Sequence, residues 1–551
     1  MSKTYRLWEP LQSLMFPPSP LDWVPEEHLA RFILDVVSQL DLSPLYAYYE
    51  RELRGFPPHH PQMMVALLLY AYCVGVPSSR KIERRCYDDV AFRVMTGNTQ
   101  PDHTCISEFR RIHLAVLAAL FVQVLQLCKK AGLVKLGHVA IDGTKIKASA
   151  SKHKAMSYER MNKDEEELTK KVAELLAAAE SVDAAEDAEH GKDRRGDELP
   201  GDLRRATDRL ARIRELKAEL EAEAKEQAQA QRAAKAEAAQ VEAALVEMNH
   251  VEAARTADER SVDDEPPPSA TSASATGVSP EPLPVHQVPT DKDGTPTAKA
   301  QRNFTDAESR IMKTADGFVQ DYNAQIAVDE LCQIIVALGV SNQSPDCEYL
   351  IPILDRVIDN CGAPPKKSSA DNGYLSESNV ARASSRGIDM YIAPGRLKHG
   401  KDGIAETDID DHSVKSRMKA KLATDEGHAV YSRRKVIVEP VFGQIKNRGF
   451  RQFLLRGLIK VLGEFSLMAI SHNLLKLHGA QLSTSPRGDL GFVGTGRLRT
   501  LAPSAARCQS EAERRRAAGR YGRRRNGASP RRHTPRPHEA LLQRAPRKSK
   551  R

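Results

Sequence analysis

The amino-acid sequence predicts an α/β protein in which helices flank a mixed sheet. Two stretches indicate strands: residues 317–329 alternate apolar and polar side chains, and residues 137–148 (GHVAIDGTKIKA) form a short apolar run with β-branched residues. Apolar residues at helical spacing before residue 130 and after residue 450 indicate helices on either side of these strands. Interleaved strands and helices are typical of a layered α/β fold.

Residues 1–130 are expected to form a helical domain. An apolar segment, Met63–Val76, is followed by a basic helix, Ser79–Tyr87. The turn at Pro101–Thr104 supplies an N-cap. It leads into apolar residues at helical spacing: Ile106, Phe109, Ile112, Val116 and Leu120. Arginines on these helices, among them Arg110 and Arg111, would suit DNA binding, and a solvated basic face explains them equally well.

Residues 161–299 are predicted to interrupt the α/β part. Up to about residue 265 they are dominated by Ala, Glu, Lys, Arg and Leu, with almost no aromatic residues. The spacing of apolar residues between 203 and 213 predicts a helical hairpin or short coiled coil. The Pro-, Ser- and Thr-rich residues 265–299 are expected to be a disordered linker.

The α/β pattern resumes after this insertion. In chain order it predicts strands at 317–329 and 334–340, a helix at 348–361, strands at 368–374 and 387–394, a helix around Glu439 and a final helical stretch at 450–477. The first two of these strands are expected to form a hairpin. The last helical stretch should cover one face of the sheet.

The C-terminal residues 479–551 differ from the rest in charge. They contain 19 basic and four acidic residues, about +15, whereas the whole chain has a net charge of +9. Residues 1–478 are therefore slightly acidic overall. This Arg-rich tail has no apolar periodicity and is expected to be disordered. Binding to nucleic-acid phosphates and unselected sequence read past an ancestral stop are equally good explanations for it.

The composition also excludes some classes of protein. The eight cysteines are scattered without a CxxC pair, which argues against a zinc site and fits a reducing compartment. The apolar runs Met63–Val76 and Ala115–Cys128 are too short to span a bilayer, which takes about 20 residues. The N-terminal residues do not resemble a secretion signal. We therefore expect no membrane partner.

Three acidic residues occur in unusual surroundings. Asp142 lies in an apolar strand, Asp371 follows a short strand, and Glu439 is the single polar break in the apolar run from Val436 to Phe442. Burying a carboxylate is costly unless it is paired or holds a metal. When each acid is considered alone, a strand-end turn cap is the better explanation for Asp142 and a structural salt bridge is the better explanation for Glu439.

The segment around Glu439, YSRRKVIVEPVFGQIK (Tyr431–Lys446), surrounds this acid with cations. If the segment is helical, Lys435 and Lys446 fall on the same face as Glu439. Pro440 disfavours helix at the residue before it, so the helix is expected to kink or begin there. Together the three acids could hold two Mg²⁺ ions about 3.5–4 Å apart, as in-line attack on a phosphodiester requires.

Several motifs resemble those of a known family, the DDE transposases of bacterial insertion sequences. The resemblance is greatest to group eleven-eighty-two within the class of insertion sequences four and five, and it covers about residues 1–160 and 300–478. The motifs that carry it are FPPHHPQMMVALLLYAYCVGVPSSRKIE with PDHTCISEFRR, IDGTKIKASASKHKAMSYERM, NFTDAESRIMKTADGFVQDYNAQIAVD, ADNGYLSESN and YSRRKVIVEPVFGQIK.

The resemblance implies an RNase H-like catalytic domain at 131–478, interrupted by the insertion, behind an N-terminal DNA-binding domain. It implies that Asp142, Asp371 and Glu439 bind Mg²⁺, with Mn²⁺ as an alternative. Tyr431, Arg433 or Arg434, and Lys446 would match the family's Tyr-Arg-Glu-Lys signature and contact DNA, with Lys435 in the register otherwise expected for the Arg. We also assign Lys145 to DNA contact.

This resemblance implies a transposase that cleaves the terminal inverted repeats of its element and transfers them to target DNA. Two DNA ends must be handled together, so a homodimer is expected, in the bacterial cytoplasm at the nucleoid. The alternatives are a catalytically inactive relic that only binds DNA, a general nuclease of the same fold, and a coiled-coil interaction protein built on residues 161–260.

Overall fold

The fold was examined in a computed structural model of the chain. It describes residues 19–51, 57–190, 201–258, 281–291, 293–314, 317–395 and 413–484, all within one compact unit, residues 1–501. The expected disorder of residues 265–280 and of residues 485–551 concerns parts of the chain outside these ranges. The expectation is wrong for residues 479–484, which continue the last helix that the structure describes.

The N-terminal part is helical, as predicted. After a 3₁₀ turn at Pro20–Trp23 its described residues, 19–51 and 57–130, form seven helices: α1 (Leu29–Val37), α2 (Ser43–Tyr49), α3 (Pro61–Cys73), α4 (Ser79–Asp88), α5 (Val90–Met95), α6 (His103–Ile112) and α7 (Leu114–Lys130). Helix α3 is apolar on nearly all sides and almost entirely buried. Asp102 caps α6, because its carboxylate accepts a hydrogen bond from the Cys105 amide at 2.8 Å.

The apolar spacing from Ile106 to Leu120 does not belong to one helix. The chain bends by 73° between α6 and α7. The break is at His113, whose ring nitrogen is 3.0 Å from the Tyr49 hydroxyl. Ile112, counted as an apolar-face position, is consequently exposed.

The two arginines at the end of α6 have different environments. Arg110 is buried and donates to the Pro77 carbonyl at 2.7 Å and to the Tyr72 and Ser79 hydroxyls. It therefore joins α6 to α3 and α4 and is not available to DNA. Arg111 is exposed and pairs with Glu108.

A six-stranded mixed sheet forms the second half of the fold. Its strands are β1 (His138–Lys147), β4 (Arg310–Thr314), β5 (Gly317–Asp329), β6 (Ile335–Ser341), β7 (Lys367–Ala370) and β8 (Asp389–Ile392); β2 (Ala155–Ser157) and β3 (Gln301–Asn303) make a separate pair. Strand β5 is antiparallel to β1, β4 and β6, whereas β1, β7 and β8 are parallel neighbours. The predicted strands at 137–148, 317–329 and 387–394 and the β5–β6 hairpin are confirmed.

The helices around the sheet are α10 (Leu350–Cys361), α11 (Glu377–Ser385), α12 (Val414–Ala423), α13 (Asp425–Ile437), α14 (Glu439–Asn447) and α15 (Leu458–Thr484). The final helix begins at Leu458 instead of near Phe450, and it packs against β6 and also against α3 and α7. It therefore joins the sheet and the N-terminal helices into one hydrophobic core.

Helix α15 is an apolar segment of membrane-spanning length that the uninterrupted apolar runs of the sequence did not indicate. Among the described residues, Leu458–Ser483 is the single unbent helix long and apolar enough to cross a bilayer, and α6 with α7 would qualify only as a bent pair. Of the apolar window in α15, 72% is buried inside the protein. A core helix packed on all sides has the same composition.

The insertion contains two long helices, α8 (Tyr158–His190) and α9 (Gly201–Asp258). They pack against each other, and the pairs Tyr158–Glu221 and Glu165–Arg214 show that they run antiparallel. This arrangement is the predicted helical hairpin.

The described end of the predicted linker is folded, so the expectation of disorder is wrong for residues 281–291 and 293–299. Val288 is buried, and its amide donates to Gln227 of α9 at 2.7 Å. The His286 amide donates to Asn342 at 2.9 Å. Leu283 packs so closely on Gly339 that a Cβ there would lie 2.5 Å from it. Composition pointed to disorder because these contacts are made with distant parts of the chain.

Candidate active site

Asp142 lies in the middle of β1, and Asp371 directly follows the neighbouring parallel strand β7. Strand β1 pairs with β7 in a register that places Ala140 opposite Ser369. Continuing that register by two residues brings Asp142 opposite Asp371. Neighbouring strands are about 4.8 Å apart, so the two carboxylates converge at one edge of the sheet. Ligands of α/β sheets commonly bind at this carboxyl edge.

Backbone amides hold both aspartates in place. The Gly143 amide donates to Asp142 Oδ1 at 2.9 Å. Asp371 caps a 3₁₀ turn, Asn372–Tyr374, and accepts from the Gly373 amide at 2.9 Å. The predicted strand at 368–374 is therefore shorter than expected, because Asp371 begins the turn that follows it.

Glu439 approaches this edge from a helix terminus. The segment around it is broken at Val438, where α13 ends and α14 begins, as Pro440 predicted. Proline is tolerated in the first turn of a helix but not in its interior. Glu439 is thus the first residue of α14, where the helix dipole favours an acid. Its side chain is 53% exposed.

Arg434 lies between Asp142 and Glu439. Its Nη1 is 3.4 Å from Asp142 Oδ2, and its Nη2 is 3.9 Å from Glu439 Oε1. The Arg434 side chain is buried, and among the described residues its Nε has no hydrogen-bond partner. The guanidinium therefore supplies the positive charge that two carboxylates in a partly buried site require.

The surroundings of Asp142 favour its protonated form. Burial raises the pKa of this carboxyl to about 6, and the nearby Asp371 and Glu439 add to the increase, whereas Arg434 opposes it. Burial and like charges both disfavour an ionised acid. Arg434 thus offsets the burial of Asp142 and the repulsion from its neighbouring acids only in part.

Two further predicted residues also lie at this site. The Tyr431 ring is 5.9 Å from the Arg434 guanidinium, and its pKa is raised by burial and by Asp371 and Asp142. Lys446 donates to the Thr144 hydroxyl at 2.7 Å. Burial lowers the pKa of Lys446.

Three other residues assigned to DNA contact lie elsewhere or are already paired. Arg433 pairs with Glu330 at 3.2 Å. Lys435 is exposed on α13, and the helix break separates it from the face of Glu439. Lys145 is mostly buried and is held by Asp346 at 3.2 Å and by the Ser344 carbonyl at 3.0 Å.

A polar network beside the aspartates was missed by sequence reasoning. Asp346 Oδ1 accepts hydrogen bonds from Asn323 at 2.7 Å and from Gln325 at 3.0 Å. Gln325 in turn accepts from the hydroxyl of Tyr374, which ends the turn begun by Asp371. A Cβ at Gly143 would lie 2.3 Å from the Gln325 amide, so a larger residue there would displace this amide from its hydrogen bonds. The sequence around Asp346, SNQSPDCEY, looks like an ordinary turn and carries no signal of this role.

The donor chemistry of the three acids fits a divalent cation, because hard cations prefer carboxylate oxygens. The positions of the three acids fit a metal site less well. Within the described ranges, no three His, Cys, Asp or Glu side chains form a group that could hold a metal ion. Asp142 and Asp371 converge, whereas Glu439 is joined to Asp142 through Arg434.

Two family models match the chain. Residues 18–111 match a transposase domain, DUF772, and residues 287–474 match the transposase DDE domain. The second match includes Asp371, Arg434 and Glu439, and it begins after Asp142 and most of the insertion. No curated protein and no solved structure matches significantly. The two matches support a DDE transposase, a class of enzyme that acts on DNA.

Proposed function

We propose that this protein cleaves DNA at the ends of an insertion sequence and transfers the freed strands to target DNA. The observation that carries the proposal is the convergence of Asp142, within β1, and Asp371, directly after β7, with Glu439 joined to Asp142 through Arg434. We assign the three acids as the catalytic residues. The mixed sheet with acids at its carboxyl edge supports an RNase H-like catalytic domain.

In this proposal Asp142, Asp371 and Glu439 hold Mg²⁺ or Mn²⁺. Bound there, a divalent cation supplies the charge that activates a water or 3′-hydroxyl and stabilises the leaving oxygen. The network of Gln325, Asn323 and Asp346 fixes the turn that carries Asp371. Such support matters because small displacements of reacting groups slow catalysis strongly.

In this proposal the cations of the site would bind DNA in addition to the acids. Arg434 and Lys446 are close to Asp142 and would bind phosphate oxygens of the DNA strand being cut. Arg434 must then exchange Glu439 or Asp142 for phosphate when DNA and the cation bind. Tyr431 would limit how far its side chain can move.

The N-terminal helices would bind the DNA ends in this proposal. Helix α4 carries Arg80, Lys81, Arg84 and Arg85, all exposed, on a surface that suits phosphate contact. Terminal inverted repeats and target DNA are the proposed partners, and a homodimer in the bacterial cytoplasm would bring the two ends together. A relationship to group eleven-eighty-two stays part of this proposal.

The experiment is Mg²⁺-dependent nicking of DNA that carries the inverted repeats flanking the gene, comparing the wild type with Glu439→Gln. We expect nicking in the wild type and none in the variant, with equal binding of the repeats. Binding without nicking by the wild type would instead indicate an inactive DNA-binding relic. Nicking without preference for the repeats would indicate a general nuclease.

A further inference from the structure

A second polar cavity lies away from the acids, where the insertion meets the sheet. Its volume is about 230 Å³, and its walls include Arg302, Arg310, Lys299, His286 and Gln320. Arg302 belongs to β3 and Arg310 to β4, whereas His286 and Lys299 belong to the folded end of the insertion. Three separate parts of the chain thus bring cationic or polar groups to one cavity.

The cavity walls carry more positive charge than their carboxylate partner balances. Arg302 and Arg310 are both more than nine-tenths buried, and they share Glu223 of α9 at 2.5 and 3.8 Å. Lys299 adds a third cation at the exposed side. Glu308 is also near Arg310, but its carboxylate accepts a hydrogen bond from the Leu458 amide.

Several buried polar atoms of the cavity lack partners. In the part of the chain that the structure describes, Nε of Arg302, Nε of Arg310 and Oε1 of Gln320 make no hydrogen bond. An unpaired buried donor costs roughly 1–3 kcal/mol, more when it is charged. A ligand with several acceptor oxygens would relieve this cost at the two Nε donors, whereas Gln320 Oε1 is an acceptor and gains nothing from such oxygens.

His286 adds a neutral polar group to these cations. Burial lowers the pKa of its imidazole to about 4, and the nearby Arg310 and Arg302 lower it further, whereas Glu223 opposes them. At neutral pH the ring can therefore donate a hydrogen bond without adding charge.

We infer that this cavity is a binding site for a phosphate group, held by Arg302, Arg310 and Lys299. Guanidinium groups match the geometry of phosphate oxygens and form charge-assisted hydrogen bonds with them. The cavity is smaller than the roughly 300–1,000 Å³ of typical drug-sized ligand sites, which suits a single phosphate or a small phosphate ester. The phosphate belongs either to a nucleic-acid strand or to a free nucleotide or inorganic phosphate.

A phosphate bound here would lie where the insertion meets the sheet, because Glu223 lies on α9 and both arginines lie on strands. Ser344 also lines the cavity, and its carbonyl accepts from Lys145, which pairs with Asp346 beside the active site. The site does not depend on the proposed DNA cleavage and can be tested without it.

The test measures binding of inorganic phosphate to the full-length protein by calorimetry, with chloride added to keep the ionic strength constant. We expect saturable binding, and at least tenfold weaker binding in Arg302→Gln and Lys299→Gln. Lys313→Gln is the matched control, because Lys313 is exposed on β4 outside the cavity, and should bind as the wild type does. Lys299 is also exposed, so its variant keeps the test valid if Arg302→Gln fails to fold.

Absence of saturable phosphate binding would overturn the inference, as would equal weakening in Lys299→Gln and Lys313→Gln. Two further measurements distinguish the sources of the phosphate. If a 5′-mononucleotide binds and the affinity for duplex DNA is the same in Lys299→Gln and wild type, the ligand is a free phosphate compound. If DNA binding weakens in Lys299→Gln but not in Lys313→Gln, and phosphate competes with DNA, the ligand is the DNA backbone.

Discussion

Glu464 and Asp142 lie in two regions of the molecule, each within an apolar stretch, but their hydrogen-bond partners and neighbouring charges differ. Glu464 lies in the apolar helix α15 and is fully buried, yet its carboxylate accepts hydrogen bonds from the Leu454 amide at 3.0 Å and the Leu455 amide at 2.9 Å. Asp142 is partly exposed and has one amide and one distant cation as partners. Two further acids raise its pKa, whereas among the described residues no acid raises the pKa of Glu464.

The comparison teaches that an acid in an apolar run does not by itself mark an active site. Glu464 has its hydrogen-bonding capacity used by backbone amides, so it fastens the loop before α15 to the helix. Asp142 and its neighbours repel one another and leave oxygens available. Unsatisfied like charges at one sheet edge, and not burial, distinguish a candidate active site from a structural carboxylate.

The largest expected effect is that of Asp142→Asn on DNA cleavage. We expect cleavage to fall by about 10³-fold or more, because the residues of a catalytic unit lose function together. Stability should not fall at pH 7 and should be equal or higher, since a raised pKa means that the folded state disfavours the charge that Asn removes. Nicking assays and thermal unfolding measure the two effects. Retained cleavage would remove Asp142 from the site.

Glu464→Ala should show the reverse pattern. Removing the carboxylate leaves two buried amides unsatisfied, so we expect a loss of about 3 kcal/mol in the free energy of unfolding. Urea denaturation measures it, with the exposed Lys460→Ala on the same helix as a control expected to change by less than about 0.5 kcal/mol. If the Glu464 variant unfolded like the control, the two regions would not differ as described.

The neighbouring arginines sharpen the comparison within the site. Arg434→Gln should lower the cleavage rate by about 10²-fold, the size seen when one charge-stabilising group is removed from an active site. Arg433→Gln should lower it by less than about threefold, because Arg433 is half-exposed and pairs with Glu330 outside the acid cluster. Steady-state nicking rates of the two variants measure both effects. Equal losses would mean that both arginines serve the reaction.

The smallest expected effect concerns pH. His472 is buried in α15 beside the Gln333 carbonyl at 2.8 Å, and burial lowers its pKa to about 3. Between pH 6.5 and about 3 the unfolded state binds the proton and the folded state does not, so stability falls as pH falls, by at most about 1.4 kcal/mol per pH unit. Urea denaturation from pH 7 to 5 should show a shallower decline in His472→Gln. If stability fell equally with pH in the wild type and in His472→Gln, His472 would not be the group responsible for the decline.

Local patterns allowed much of the fold to be predicted. Alternation located β1 and β5, apolar spacing located α10, and Pro440 indicated the break before α14, because each depends on neighbouring residues. The break at His113 and the folded residues after the insertion were not predictable in this way. Both depend on contacts with distant side chains such as Tyr49 and Gln227.

The candidate site was predicted as a set of residues but not as an arrangement. Asp142, Asp371 and Glu439 were selected from their surroundings, and the choice between Arg433 and Arg434 stayed open. The structure shows Arg434 as the one beside Asp142 and Glu439, and it places Asp346 in a network that no motif indicated. Lys145 looked available for DNA because its pairing with Asp346 is not visible in the sequence.

By itself the sequence determined most of the longer strands and helices, and which acids stand in apolar surroundings, because backbone preferences and apolar spacing act over a few residues. It did not indicate β2, β3, β4 or α12. Only the tertiary structure decided that β1 and β7 pair in the register that brings Asp142 to Asp371, and that α13 lays Arg434 between Asp142 and Glu439. The physical reason is that strand pairing and helix packing join residues hundreds of positions apart, and the free energy of these contacts depends on the whole core.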